Sequence, residues 1–83
     1  MEIERFIDNF TELFDETDPA TITATTRFKD LKEWSSLVAL SVIAMIDEEY
    51  DVEFRGDDIR GSNTVQDLFN IVKKRVGWSF GTR

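Results

Sequence analysis

The chain contains no cysteine and no histidine. Without cysteine it has no disulfide staple, no thiol nucleophile and no thiolate metal site. Without histidine as well, the usual activated-nucleophile arrangements cannot be assembled, which argues against an enzyme. Basic residues are scarce: 10 Lys and Arg stand against 17 Asp and Glu, a formal net charge of −7. A nucleic-acid binder needs a basic footprint to displace counterions, and an anionic membrane surface asks for the same, so neither partner is expected. The longest apolar run, Val42 to Ile46, is far too short to span a bilayer. The amino terminus opens with Glu2 and Glu4, where a secretory signal requires positive charge. These absences lead to the expectation of a soluble, cytoplasmic protein.

What is present points to one small domain. Eighty-three residues, 41% of them hydrophobic, are enough for a single core and too apolar for a disordered acidic chain. The acid falls in two blocks: residues 2–18 carry seven acids and one base, and residues 47–58 again seven and one. Residues 59–83 are reversed, with one acid and five bases.

Ile3, Phe6, Ile7, Phe10, Leu13 and Phe14 recur at steps of three and four, predicting a first helix that buries one stripe. It should stop before Pro19, because the residue preceding proline is pushed out of the helical region. The threonine-rich connection from Asp18 to about Ser35 is long for a compact domain, so something must pin it, and Phe28 and Leu31 are the natural anchors. A second helix is predicted over Ser36 to Tyr50, with Ser35 or Ser36 as its cap. One helical turn is expected over Asp57 to Arg60, after Gly56. Thr64 and Asp67 are spaced as a capping box for a last helix, whose apolar face is Val65, Leu68, Phe69, Val72 and Val76. Lys73, Lys74 and Arg75 fall in its predicted last turn, and Gly77 is expected to end it. The predicted fold is all-α, a bundle of three main helices plus a short one, with Phe6, Phe10, Phe14, Ile43, Ile46, Phe54, Leu68 and Phe69 in the core.

The second helix is ambiguous. Nine of the eleven residues after Ser36 are apolar, so one stripe cannot account for it. Ala39, Val42, Ile43, Ile46 and Tyr50 form one face. Leu37, Leu40 and Ala44, with Val38 and Met45 beside them, form another. Either the bundle buries the helix on most sides, or the second face is an exposed strip that contacts partners. The acids Asp47, Glu48 and Glu49 crowd its carboxyl end, where the helix dipole disfavours them, which hints at a purpose other than helix stability.

The stretch FKDLKEWSSLVALSVIAMIDEEYDVEF, followed by NTVQDLFNIV, resembles the acyl carrier proteins and the related peptidyl and aryl carrier domains. The shared features are an aromatic-x-x-Leu segment, a serine-leucine pair opening helix two, an acidic cluster then an aromatic residue closing it, and a Thr-Val pair opening the last helix. The resemblance covers about residues 3–76. It implies a single carrier domain over residues 1–77 and a C-terminal tail over 78–83 holding Trp78 and Phe80. It further implies that Ser36 receives a covalent 4′-phosphopantetheine arm, and that the domain carries acyl, aryl or aminoacyl groups on it as thioesters. Leu37, Leu40, Ala44, Asp47 and Glu48 match the family's partner-recognition positions. The implied partners are a phosphopantetheinyl transferase and loading or biosynthetic enzymes such as a ketosynthase, an acyltransferase or an adenylating ligase, visited by a monomer. The family's usual aspartate before the serine is Ser35 here, and Ser41 stands where many members carry an acid.

Two other classes compete. One is an unmodified acidic adaptor that binds a partner through helix two. The other is a small enzyme with paired carboxylates, or a calcium site among Asp47 to Asp58. The calcium loop fails on spacing, since counting from Asp51 puts Arg55 and Ser62 at ligand positions.

Overall fold

A computed structural model describes residues 2–81, with side chains described through Val76. Among the described residues the fold is all-α, with four helices, α1 (Ile3–Thr11), α2 (Ser36–Tyr50), α3 (Gly56–Arg60) and α4 (Val65–Gly81), and 3₁₀ turns at Pro19–Thr21 and Phe28–Asp30 in the long connection. Among the described residues there is no strand, and no helix is long and apolar enough to cross a membrane.

Helix α1 follows the expected stripe. Phe6, Phe10 and Phe14 are buried, with Ile3, Ile7 and Leu13 packed half-buried beside them. The helix itself ends at Thr11, and Phe14 reaches the core from the tighter turn that follows, where Phe14 N donates to Thr11 O at 3.1 Å. Aromatic contacts then cross the whole domain. Phe6 lies 5.9 Å from Tyr50 and 5.5 Å from Phe69 between ring centroids, Phe10 lies 6.2 Å from Phe28, and Phe28 lies 4.8 Å from Trp34. This series links the carboxyl end of α2 to the segment that enters its amino end.

The long connection is pinned at more points than Phe28 and Leu31. Phe28 is fully buried and Leu31 half-buried, and Ile22 is buried as well. Val65 N donates to Thr26 O at 3.1 Å and Gln66 N to Ala24 O at 2.8 Å. The loop thus supplies acceptors to the first turn of α4, whose N–H groups have no partner within the helix. Glu33 makes the other pin: its carboxylate accepts from the backbone N–H groups of Asp15, Glu16 and Thr17 at 2.5–3.1 Å and from the Thr17 hydroxyl. The Thr17 hydroxyl bond leads the interactions that hold the Glu33 carboxyl below its ordinary pKa.

The capping box of α4 forms in both directions. Asp67 N donates to Thr64 Oγ1 at 3.2 Å, and the Asp67 carboxylate accepts from Thr64 N at 3.1 Å and Asn63 N at 2.9 Å. Those backbone donors, Asn63 first, hold the Asp67 carboxyl below its ordinary pKa. The far end differs from the sequence expectation, because α4 runs through Gly77 to Gly81. A glycine inside a helix costs only about 1 kcal/mol relative to alanine, which continued helix can absorb. Lys73, Lys74 and Arg75 therefore sit inside the helix rather than in its last turn. The Trp78 and Phe80 side chains lie outside the described residues.

Arg75 also takes a different task. Its guanidinium forks onto Asp58, Nη1 to Oδ2 at 2.6 Å and Nη2 to Oδ1 at 2.9 Å, and Nη1 also reaches Glu53 O at 2.8 Å. Asp58 in turn accepts from Arg55 N at 2.9 Å at the start of α3. One arginine thus ties the α2–α3 connection and the short α3 to α4.

Candidate functional site

Helix α2 opens at two serines with different duties. Ser35 is the cap: its backbone is extended (φ −156°, ψ 173°) and its hydroxyl accepts from Val38 N at 3.3 Å. Ser36 is the first helical residue and is exposed. The first helical bond runs from Ala39 N to Ser35 O at 2.9 Å, so the N–H groups of Ser36 and Leu37 precede the intrahelical ladder and face the helix's positive end. The ambiguity between Ser35 and Ser36 as cap is resolved: Ser35 caps, and Ser36 carries a hydroxyl without that role.

The second ambiguity is resolved as well. Val42, Met45 and Ile46 are buried, and Val38, Ala39, Ile43 and Tyr50 are half-buried. Leu37 and Leu40 are 76% and 62% exposed, and Ala44, Asp47 and Glu48 are exposed too. The helix is therefore not buried on most sides. Leu37, Leu40, Ser41, Ala44, Asp47 and Glu48 follow at helical steps of three, one, three, three and one, so they share a single open face. Met45 is the correction, because it belongs to the core and not to the outer strip. Ile43 is a smaller one, half-buried rather than central. A large aliphatic side chain facing water singly is ordinary on a protein surface. Leu37 and Leu40 instead lie exposed together on one helical turn beside Ser36.

The carboxyl end of α2 is built around its acids. Asp47, Glu48 and Glu49 are all exposed. Asp51 closes the helix in the left-handed conformation (φ 54°, ψ 44°), its N–H donating to Asp47 O at 3.0 Å. Aspartate tolerates that conformation better than most residues, though glycine is the usual choice there. Nearby, Tyr50 receives a bond from Asn9 Nδ2 at 3.4 Å, and burial pushes its hydroxyl pKa up. Among the described residues, no three acidic side chains gather as a group that could hold a metal ion.

Beside Ser36 lies an open cleft of about 570 Å³ between the start of α2, the Phe28–Asp30 turn and α3. Its walls include Trp34, Ala39, Leu40, Ile43 and Ile59, with Lys29 and Arg60 at the rim. Lys29 Nζ donates to Arg60 O at 3.0 Å and lies 5.7 Å from the centroid of the Phe28 ring. Sequence reasoning places Ser36 and Leu40 together but misses Lys29, Trp34, Ile59 and Arg60. Lys29 and Arg60 are 31 positions apart, and no local spacing signals that pairing.

No protein-family model, curated protein or solved structure gives a significant match to this chain.

Proposed function

We propose that this protein is a carrier domain of the acyl carrier protein kind, holding 4′-phosphopantetheine on Ser36 and presenting acyl, aryl or aminoacyl cargo to partner enzymes. The observation that carries this reading is the division of labour at the start of α2. Ser35 takes the cap, while Ser36 stands exposed on the first turn beside the open face of Leu37, Leu40 and Ala44.

The residues present fit the group. A phosphodiester on Ser36 lies at a helix amino end, where free N–H groups and the dipole favour an anion. The adjoining cleft gives room for the pantetheine chain beyond the phosphate. When attached, the arm supplies the terminal thiol on which cargo is held as a thioester, a sulfur that the chain itself does not possess.

Ser36 needs no activation from its own domain, since a separate phosphopantetheinyl transferase supplies the base and the metal ion. In the attachment, Ser36 Oγ attacks the β-phosphorus of coenzyme A and an Oγ–P bond forms. The phosphoanhydride bond breaks, adenosine 3′,5′-bisphosphate leaves with its electron pair, and the serine proton passes to the transferase base. Exposure of Ser36 is what admits that enzyme. The Leu37, Leu40 and Ala44 face provides the apolar contact for partners, and Asp47 and Glu48 meet basic patches on them. Rim charges of this sort chiefly steer encounter, so docking is brief and weakens with salt.

Incubation with coenzyme A and a broad-specificity transferase, followed by intact-mass measurement, tests the reading. A phosphopantetheine adduct that disappears in Ser36→Ala supports it. The unmodified adaptor is the second reading, favoured by the fact that the exposed Leu37 and Leu40 face exists without any modification. Failure of several transferases to load the chain, with partner binding abolished by Leu40→Glu, selects the adaptor.

A further inference from the structure

The surroundings of Ser36 run against the charge of the rest of the chain. The net charge is −7, yet the residues lining the cleft beside Ser36 include two cations, Lys29 and Arg60, and no acid. The immediate neighbour, Ser35, is neutral. Resting on the carrier reading, we infer that Lys29 and Arg60 form an anion-holding rim that takes the phosphodiester on Ser36 by charge-assisted hydrogen bonds.

Lys29 is positioned for this by two contacts. Its ammonium donates one hydrogen to Arg60 O at 3.0 Å and sits over the Phe28 ring, so its long stem is held against the turn rather than free. An ammonium has three donors, and two remain for an incoming oxygen. Arg60 brings a guanidinium with five donors, one of which is engaged by Asp57. That pair is 75% and 81% exposed, so it is weak and exchanges readily for a competing anion. Asp57 is the acid that opposes the rim, and Asp30 adjoins Lys29 in sequence; neither lines the cleft. The ring of Trp34 and the side chain of Ile59 form apolar walls next to the two cations, which keeps water from surrounding a bound phosphate on every side. Lys29 and Arg60 are thus positioning residues: they fix where the arm leaves the helix and perform no chemistry.

The test compares apo and holo protein labelled with ¹⁵N, the holo form confirmed by mass. Attachment is expected to shift the Arg60 Nε–H signal and the Lys29 resonances together with the amides of Ser36 and Leu37. It is also expected to raise the melting temperature by about 2–8 °C at low salt, the scale of two exposed ion pairs in a domain of this size. That gap should close at about 1 M salt, where the Debye length is about 3 Å. It should close equally in a Lys29→Gln, Arg60→Gln double variant and persist in Arg60→Lys. Loading on Ser36 with unmoved Lys29 and Arg60 signals, and an undiminished gap in the double variant, overturns the inference while leaving the carrier reading intact. Absence of any adduct on the wild-type chain overturns both. The wild-type spectra decide the matter even if the double variant fails to fold.

Discussion

Asp58→Ala removes three hydrogen bonds at once: two from Arg75, at 2.6 and 2.9 Å, and one from Arg55 N at 2.9 Å. Asp58 is 17% exposed and Arg75 40%, so the pair lies between the weak exposed case and the buried one, and the openness of Arg75 discounts it. The forked ion pair is worth about 1 kcal/mol after that discount. Loss of the bond to Arg55 N at the start of α3 adds about 0.5–1 kcal/mol. Asp58→Ala is therefore expected to cost about 1.5–2 kcal/mol, a fall of roughly 6–16 °C in melting temperature for a domain of this size. Arg75→Ala costs about 1–2 kcal/mol, since it also gives up the bond to Glu53 O and the placement of its guanidinium 6.0 Å from the centroid of the Phe54 ring. A double-mutant cycle read by urea unfolding should return a coupling of about 1 kcal/mol near neutral pH. The pH dependence has a definite sign. The Arg75 bonds hold the Asp58 carboxyl below its ordinary value of 3.8. A depressed folded pKa contributes stability above the unfolded value and loses it as the pH falls through the folded one. The coupling should thus be full at neutral pH and fade below about pH 4. A coupling under about 0.3 kcal/mol at neutral pH, or one that does not change on acidification, refutes the account of this clamp.

Further substitutions probe other parts of the fold. Ser35→Ala should destabilise the domain by about 1 kcal/mol through loss of the helix cap, whereas Ser36→Ala should change stability by less than about 0.5 kcal/mol; paired thermal melts distinguish them. Phe28→Ala empties a fully buried site between Phe10 and Trp34, at an expected cost of about 3–5 kcal/mol. In a domain this small that should unfold a large fraction at room temperature, visible by circular dichroism. Leu37→Ser and Leu40→Ser should leave the melting temperature within a few degrees of wild type, because both side chains already face water. The same variants are expected to weaken partner docking, measured as a rise in KM for the loading transferase.

The parts of the fold that were legible in the sequence are those in which a residue's partner is close along the chain. The stripe of α1, the turn after Gly56 and the Thr64–Asp67 box all depend on spacings of three or four residues, which a helix converts directly into contacts. The pins of the long connection were hidden for the opposite reason. Glu33 meets residues 16–18 positions away, and Arg75 meets Asp58 at 17. A carboxylate at such a distance looks in sequence like any solvated charge. Gly77 misled because a glycine permits a helix to end without requiring it, and composition does not disclose which backbone conformation is adopted. On α2 the difficulty was an excess of signal. With apolar residues almost all round, periodicity could not choose the outward face, and it put Met45 on the wrong side. Only packing against Phe6 and its neighbours fixes the rotation of the helix. What was legible of the candidate site is that Ser36, Leu37, Leu40, Ala44, Asp47 and Glu48 lie on α2, where the structure leaves all of them exposed. The cleft and its cations were not, because they assemble from three separate segments.

On the proposed reading Ser36, and not its capping neighbour Ser35, receives the phosphopantetheine arm. The direct measurement is the intact mass of wild-type, Ser35→Ala and Ser36→Ala proteins after incubation with coenzyme A and a broad-specificity phosphopantetheinyl transferase. A single adduct on the wild-type and Ser35→Ala chains, absent from Ser36→Ala, is the predicted result. No adduct on the wild-type chain, or one that survives Ser36→Ala and vanishes in Ser35→Ala, contradicts it.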